Sequence, residues 1–254
     1  ALYAGADGVI ADPLGGVADL QARRVRFIED PAQRIKEDYL RILRFFRFYA
    51  WYGDPYEGPD RDGLAACAAH IEGLESLSVE RVTAEVLKLC AAPDPAPAVA
   101  AMASTGALAQ VLPGADAGSL AVLVHLEQDI GVPPDPIRRL AVLGGESATD
   151  LRLSNAQMRQ FAHIKSGLSP VEAAYRYGET AGIDSALVQC ASLGEPLRNE
   201  SRAAIKHASL QVFPLKAADL MPALTGPALG EALKQAEARW IASGFTLSKE
   251  DLID

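Results

Sequence analysis

The sequence predicts an all-α, multi-helical protein with one short strand–helix–strand segment at its N-terminus. Three observations carry that reading. Apolar residues recur at helical rather than alternating spacing along most of the 254 residues. Alanine is abundant and aromatic residues make up only 6% of the chain. Clusters of proline and glycine cut the chain into helix-sized lengths. At 254 residues and 49% hydrophobic content, the chain exceeds a usual single domain and can bury a sizeable core, so two or three helical subdomains are expected.

Taken in order, residues 8–12 read as a strand, a short helix starts at Val17, and residues 24–27 read as a second strand. Between the first strand and that helix lies Asp12-Pro13-Leu14-Gly15-Gly16. Gly15 and Gly16 can take positive φ where the chain reverses, and Asp12 or Asp19 can accept from nearby backbone amides. Residues 33–52 read as a helix whose apolar seam is Ile35, Tyr39, Ile42, Phe46 and Tyr49. Residues 62–74 and 78–91 read as two more, the latter with Ser78 as N-cap and with Pro93, Pro95 and Pro97 as its stop. On that last helix Arg81, Glu85 and Lys88 share one face, a ladder suited to bracing.

Beyond the proline-rich break, residues 98–111 form another expected helix, and Pro113-Gly114 marks a passage into further helices divided at Pro133-Pro134-Asp135-Pro136. Ser154 is placed to cap a helix running to about Ser166 that carries Arg159, His163 and Lys165. His163 reads as a surface or partly packed side chain. Near the end, Gly226-Pro227 opens an amphipathic helix reaching Trp240.

Within this frame the segment Glu37 to Arg47, EDYLRILRFFR, carries the most chemistry. On one helix, spacings of three place Asp38, Arg41, Arg44 and Arg47 along a nearly continuous stripe. An acceptor beside a planar fork of donors matches the Watson–Crick edge of a base, and further arginines suit phosphates. Taken alone, the same spacing also describes a solvated salt-bridge helix.

The flanking motifs change that balance. Asp12-Pro13-Leu14-Gly15-Gly16 with Asp19-Leu20 precedes the stripe, and Glu80-Arg81-Val82-Thr83-Ala84-Glu85-Val86-Leu87-Lys88 follows it. In this fixed order they resemble the DPxGGxxDL, EDxxRxxRxxRF and ERxxxExxK patterns of the class II nucleotidyltransferases. That family comprises bacterial CCA-adding tRNA nucleotidyltransferases and bacterial poly(A) polymerases. The resemblance implies a remnant of an α/β catalytic head over 1–30, a nucleotide-reading neck over 31–112, a helical body over 113–200 and a helical tail over 201–254. It implies that Asp38 and Arg41 pair with the edge of ATP or CTP, with Arg44 and Arg47 supporting the nucleotide or its phosphates. Asp12, Gly15, Gly16 and Asp19 would form the hinge between head and neck, and Arg81, Glu85 and Lys88 the brace.

The family's GGxxRD segment and its metal-binding DxD pair do not precede Ala1, and Ala1-Leu2-Tyr3 looks like the last letters of its RRDFTxNALY segment. Asp60-Arg61-Asp62 is formally a DxD, but it sits in a Gly/Pro-rich stretch without the upstream glycine motif. The expected magnesium ions, and the catalytic residues with them, therefore belong to the head outside these residues. The resemblance implies template-independent addition of CCA to tRNA 3′ ends, these residues supplying nucleotide choice and being inactive alone. Poly(A) synthesis and a non-catalytic helical RNA-binding module are the alternatives.

A net charge of −9 weighs against a polyanion partner until its distribution is considered. Residues 21–47 carry eight basic and four acidic side chains, a net of +4, which leaves −13 on the rest. This asymmetry focuses a phosphate ligand at one site and predicts modest RNA affinity. A tRNA contact by Lys206, His207, Lys216 or Lys234 near the Gly226-Pro227 turn is left open beside ordinary helix packing. The three cysteines, Cys67, Cys90 and Cys190, have no CxxC spacing, which predicts no structural metal and a reducing cytoplasm. No apolar run approaches the roughly 18 residues that span a bilayer, so no membrane partner is expected. No histidine is followed by aspartate, so a phosphohydrolase module of the HD type is not visible.

Overall fold

A computed structural model describes residues 3–145, 150–221 and 223–253 of the chain. Ala1 and Leu2 of the suspected family segment lie outside the described residues. The chain divides into two compact units, Ala1–Ala162 with Leu187–Pro196, and His163–Ala186 with Leu197–Asp254.

The first unit opens with a two-stranded antiparallel hairpin, β1 (Tyr3–Ala4) and β2 (Ile10–Ala11), which pairs Tyr3 with Ala11 and Ala4 with Ile10. Strand β2 falls inside the expected 8–12. Its partner β1 was not foreseen, because two residues are too few to show alternation. Helix α1 (Gly16–Gln21) follows, and Asp12 caps it by accepting from Gly16 N at 2.7 Å and Val17 N at 2.8 Å. Gly15 carries the positive φ, 69°. Gly16 does not, because it is already the first helical residue. The expected strand over 24–27 is also corrected: these residues join no ladder among the described residues.

The expected single helix over 33–52 is two, α2 (Pro31–Glu37) and α3 (Leu40–Tyr52), parted at Asp38 with φ −160° and ψ 106°. The reason is local. The Asp38 carboxylate accepts from Leu40 N at 3.1 Å, offering the backbone an alternative to the helical ladder. Tyr39 lies against Gly73, where a Cβ would meet its ring carbons at 2.0 Å. The apolar seam survives the break: Ile35, Ile42 and Phe46 are 0% exposed.

Helix α4 (Arg61–Ala69) is capped by Asp60, which accepts from Gly63 N at 2.8 Å, so the formal DxD is a helix start. The expected helix over 62–74 ends early, and a 3-10 turn (Ile71–Ser76) completes the path. Helix α5 (Val79–Cys90) begins at Ser78 as anticipated and packs on α3. The length over 98–111 divides into α6 (Ala96–Ser104) and α7 (Ala107–Val111) because Gly106 adopts φ 83°.

Helices α8 (Gly118–Ile130) and α9 (Pro136–Leu143) pack together, and α9 also packs on α5. Asp135 caps α9 through the Ile137 and Arg138 amides. Buried Glu127 joins the pair: Oε1 accepts from Arg138 Nε at 2.8 Å and Oε2 from Arg139 Nε at 2.9 Å. Helix α10 (Asn155–Ile164) starts after Ser154, whose Oγ accepts from Gln157 N at 3.3 Å.

In the second unit α11 (Pro170–Tyr177) packs on α13 (Asn199–Ser209), while α12 (Glu179–Leu193) runs through both units. His163 stacks on Tyr177 with ring centroids 3.8 Å apart, in keeping with a partly packed side chain. Helices α14 (Ala217–Leu220), α15 (Gly226–Ala242) and α16 (Lys249–Ile253) close the chain. Their core is Leu215, Ala236, Trp240 and Leu252, with Tyr175, Phe213 and Phe245 against it. The architecture is all-helical, with only the β1–β2 hairpin in strands among the described residues.

Candidate nucleotide-binding cleft

Helix α3 presents a buried face and a basic face, because its apolar residues follow the 3.6-residue period and its arginines fall between them. Leu40, Ile42, Leu43, Phe45, Phe46 and Tyr49 are buried. Arg41 and Arg44 face a cleft of about 570 Å³ that Arg26, Arg34, Val25, Phe27, Ile28, Phe45 and Phe48 complete. Four guanidinium groups around apolar and aromatic walls suit an anionic, ring-bearing ligand. A neighbouring recess of about 450 Å³ shares Val25, Arg26, Phe27, Ile28 and Phe48 and adds Asp19, Arg23 and Arg24.

The cleft's walls are fixed by pairs. Asp19 holds Arg26 at 2.7 Å. Phe27 stacks on Phe45 at 5.2 Å between centroids, tying the unpaired 24–27 stretch to α3. Arg41 Nη1 donates to the Arg34 carbonyl at 2.7 Å and to the Glu37 carboxylate at 2.5 Å. The hydrogen bond from Arg41, with the charge of Arg34 beside it and against a desolvation cost, holds the Glu37 carboxyl below the ordinary glutamate range.

The residues singled out from the sequence thus separate into two sets. Arg41 and Arg44 line the cleft, and the Arg44 guanidinium lies 5.9 Å from the Phe48 ring centroid. Asp38 and Arg47 are not part of this lining. The expectation of Asp38 and Arg41 side by side on one helix is corrected by the break at Asp38: Asp38 accepts from Arg81, whereas Arg41 turns to Glu37. Arg47 sits 4.2 Å over the Phe48 ring, its Nε 2.6 Å from Glu85 Oε2. That ion pair is largely buried, at 16% and 8% side-chain exposure, so Arg47 fastens α3 to α5 beneath Phe48.

The bracing residues act across helices. Arg81 reaches Asp38, Glu85 reaches Arg47, and the Lys88 carbonyl accepts from Trp51 Nε1 at 2.8 Å. Lys88 Nζ itself stands 3.8 Å from Glu85 Oε1. Asp12 and Gly15 shape the turn into α1, Gly16 begins that helix, and Asp19 orients Arg26.

Arg26, Arg34 and Glu37 were missed as site residues. Arg26 and Arg34 were counted in the basic segment, but nothing in their spacing said that 24–28 folds back onto α3. The spacing of Glu37 to Arg34 and Arg41, three and four residues, was the available signal.

Among the described residues no group of three or more His, Cys, Asp or Glu side chains is arranged to hold a metal ion. Among them, too, no helix is long and apolar enough to cross a membrane.

A helical, arginine-lined cleft built on an EDxxR segment defines a site for an anionic, ring-bearing ligand. Residues 59–118 match a family model described as "Probable RNA and SrmB- binding site of polymerase A". The Multifunctional CCA protein of Halorhodospira halophila is 32% identical over 189 residues, covering 71% of this chain and 43% of that protein. The mitochondrial CCA tRNA nucleotidyltransferase 1 of Mus musculus is 43% identical over 88 residues, covering 35% of this chain and 20% of that protein. The matches span less than half the length of these relatives.

Among solved structures, the Bacillus stearothermophilus CCA-adding enzyme in complex with CTP superposes with a TM-score of 0.69 at 24% identity, covering 96% of this chain and 67% of that one. The Thermotoga maritima CCA-adding enzyme complexed with tRNA gives 0.61 at 16% identity, covering 97% and 66%. At these identities the likeness shows the fold. With its motifs, these curated relatives support the CCA-adding nucleotidyltransferase family as the one this chain resembles.

Proposed function

We propose that these residues are the C-terminal, nucleotide-selecting and tRNA-binding part of a template-independent tRNA nucleotidyltransferase that adds CCA to tRNA 3′ ends. The observation that carries this is the cleft in which Arg41 and Arg44 face aromatic walls beside Arg26 and Arg34. In this reading Arg41 and Asp38 read the edge of ATP or CTP, Arg44 and Arg34 meet phosphates, and Arg47 supports Phe48 from behind. Asp12, Gly15, Gly16 and Asp19 serve as the hinge, and Arg81, Glu85 and Lys88 as the brace.

In this reading a magnesium ion held elsewhere in the whole enzyme would supply electrophilic stabilisation. The residues here bind and orient the nucleotide. They contribute choice of base rather than bond making, and residues 1–254 alone transfer no nucleotide. With three cysteines that form no disulfide among the described residues, the proposed compartment is a reducing cytoplasm.

The reading is tested with the full-length gene product, magnesium and a tRNA lacking its terminal CCA, supplying CTP and ATP separately and together. CTP-dependent extension closed by a single A is the expected product. Extension by ATP alone, with CTP unused, favours the second reading, poly(A) synthesis, to which the matched polymerase A description points. No extension with either nucleotide removes both.

A further inference from the structure

Arg23 is one of three non-glycine residues with positive φ among the described residues, at 51°. It stands where helices commonly end on glycine. Arg23 N donates to the Leu20 carbonyl at 3.1 Å and Arg24 N to the Asp19 carbonyl at 2.8 Å, the paired bonds of a Schellman close at the end of α1. Glycine adopts that backbone freely, whereas a side chain there is crowded. A bare helix stop would therefore be served by glycine, and the arginine is explained by what its side chain holds. Nη2 donates to the Gly53 carbonyl at 2.9 Å and Nε to the Tyr52 carbonyl at 3.5 Å, while Asp54 N returns a bond to the Arg23 carbonyl at 3.1 Å. These carbonyls lie at the C-terminus of α3, whose last turn has no basic residue of its own. A guanidinium placed there satisfies orphan acceptors and the negative end of the helix dipole. The end of α1 is thus clasped to the end of α3 across 30 residues of sequence.

The clasp sits beside the cleft. Arg23 lines the recess of about 450 Å³ together with Leu14 and Leu20 from the α1 side and Phe48 and Tyr52 from α3. Phe48 also belongs to the neighbouring cleft that Arg41 and Arg44 face. We infer that Arg23 is a positioning residue for nucleotide addition: its clasp sets α1, and the hinge segment that runs into it, against the helix that carries Arg41 and Arg44. The inference rests on the nucleotide-reading function proposed above. Arg23 does not touch the nucleotide in this scheme; it fixes how a base read on α3 is presented to the bond-making part of the whole enzyme. Misplacement of a reactant costs rate rather than affinity, so the effect belongs in kcat.

The test is steady-state nucleotide addition to a tRNA lacking its CCA by the full-length gene product carrying Arg23→Gly, Arg23→Ala or Arg23→Lys, with thermal midpoints measured beside it. Glycine is the decisive replacement, because it relieves the backbone while removing the clasp. For Arg23→Gly, kcat should fall about five- to tenfold, with KM for CTP and ATP and affinity for tRNA within about twofold and the thermal midpoint within about 2 °C. Arg23→Ala should show the same fall in kcat with a lower midpoint, since it keeps the crowded φ and loses the clasp. Arg23→Lys should recover part of kcat, because an ammonium still donates to one of the two carbonyls. Unchanged kcat in Arg23→Gly, with addition by the unsubstituted enzyme intact, overturns the positioning role and leaves the proposed function standing. Loss of kcat in Arg23→Ala but not in Arg23→Gly also overturns it, because activity then follows the backbone rather than the side chain. A parallel fall in kcat, both affinities and thermal midpoint for Arg23→Gly overturns it in favour of a general structural part. If the unsubstituted enzyme adds no nucleotide, the proposed function fails first and the inference falls with it.

Discussion

Arg81 reaches across 43 residues of sequence to hold both carboxylate oxygens of Asp38 through Nη2, at 3.0 and 2.8 Å. The bond joins α5 to the break between α2 and α3, so the brace acts on a base-reading candidate directly. Both side chains are partly exposed, 48% for Arg81 and 29% for Asp38, and the pair contributes less than about 1 kcal/mol to stability. Its consequence lies in where it leaves Asp38.

The first prediction concerns that carboxylate. In the full-length enzyme Asp38→Ala is expected to shift the ratio of CTP to ATP incorporation by about fivefold or more, since a bidentate base contact is worth roughly 1–3 kcal/mol of discrimination. Affinity for tRNA should stay within about twofold. Arg81→Ala, which leaves the carboxylate in place but unfastened, is expected to shift the ratio less. Single-nucleotide primer extension with both nucleotides competing reads the ratio. A uniform loss for every nucleotide at constant ratio removes Asp38 from base reading.

The second prediction concerns stability. Glu127 is the shared acceptor of Arg138 and Arg139, and all three side chains are at most 5% exposed. Arg139 also donates to the carbonyls of Cys90, Ala92 and Pro93, satisfying the end of α5. Glu127→Ala leaves two buried guanidinium groups without their carboxylate, and a loss of about 3–5 kcal/mol is expected. Urea unfolding followed by circular dichroism checks this. A change below about 1 kcal/mol means that water or a repacked carboxylate takes over the site.

Helical periodicity made the fold legible because it is a local property. Seams such as Ile35, Ile42 and Phe46, and caps such as Ser78 and Ser154, depend on residues a few positions apart. The break at Asp38 was hidden because the seam continues across it, and only the side-chain bond to Leu40 N reveals the competition. The site was half legible for the same reason. Spacing gave the arginines but not their partners, since Arg81 with Asp38 and Arg47 with Glu85 are joined across helices. Residues 24–27 read as a strand from the sequence, yet they join no ladder among the described residues and Phe27 stacks on Phe45 instead.

The third prediction is a pH dependence. The Val17 amide, with those of Gly16 and Leu14, holds the Asp12 carboxyl below the ordinary aspartate value of 3.8, outweighing the desolvation that opposes it. The folded pKa is thus lower than the unfolded one. The cap's contribution is fully present above about 3.8 and is lost as pH falls through the lower folded value. The Gly16 and Val17 amide resonances should move together in an acid titration, with a midpoint below 3.8, and Asp12→Asn should abolish the movement. A midpoint at or above 3.8 means that the cap is absent in solution.

The last prediction separates base reading from tight binding. One bidentate contact offers roughly 1–3 kcal/mol, and loss of ligand freedom costs at least about 4 kcal/mol. Phosphate contacts from Arg34 and Arg44 add to the first figure, but Arg44 is exposed and Arg34 already shares its charge with Glu37, so each adds little. Residues 1–254 are therefore expected to bind ATP with a Kd weaker than about 100 µM, and to bind it less as salt is raised. Isothermal titration calorimetry at two salt concentrations measures both. Low-micromolar ATP binding by these residues corresponds to about −8 kcal/mol. That is more than the cleft's named contacts can supply, and it would place the main nucleotide-holding groups here rather than in the bond-making part of the whole enzyme.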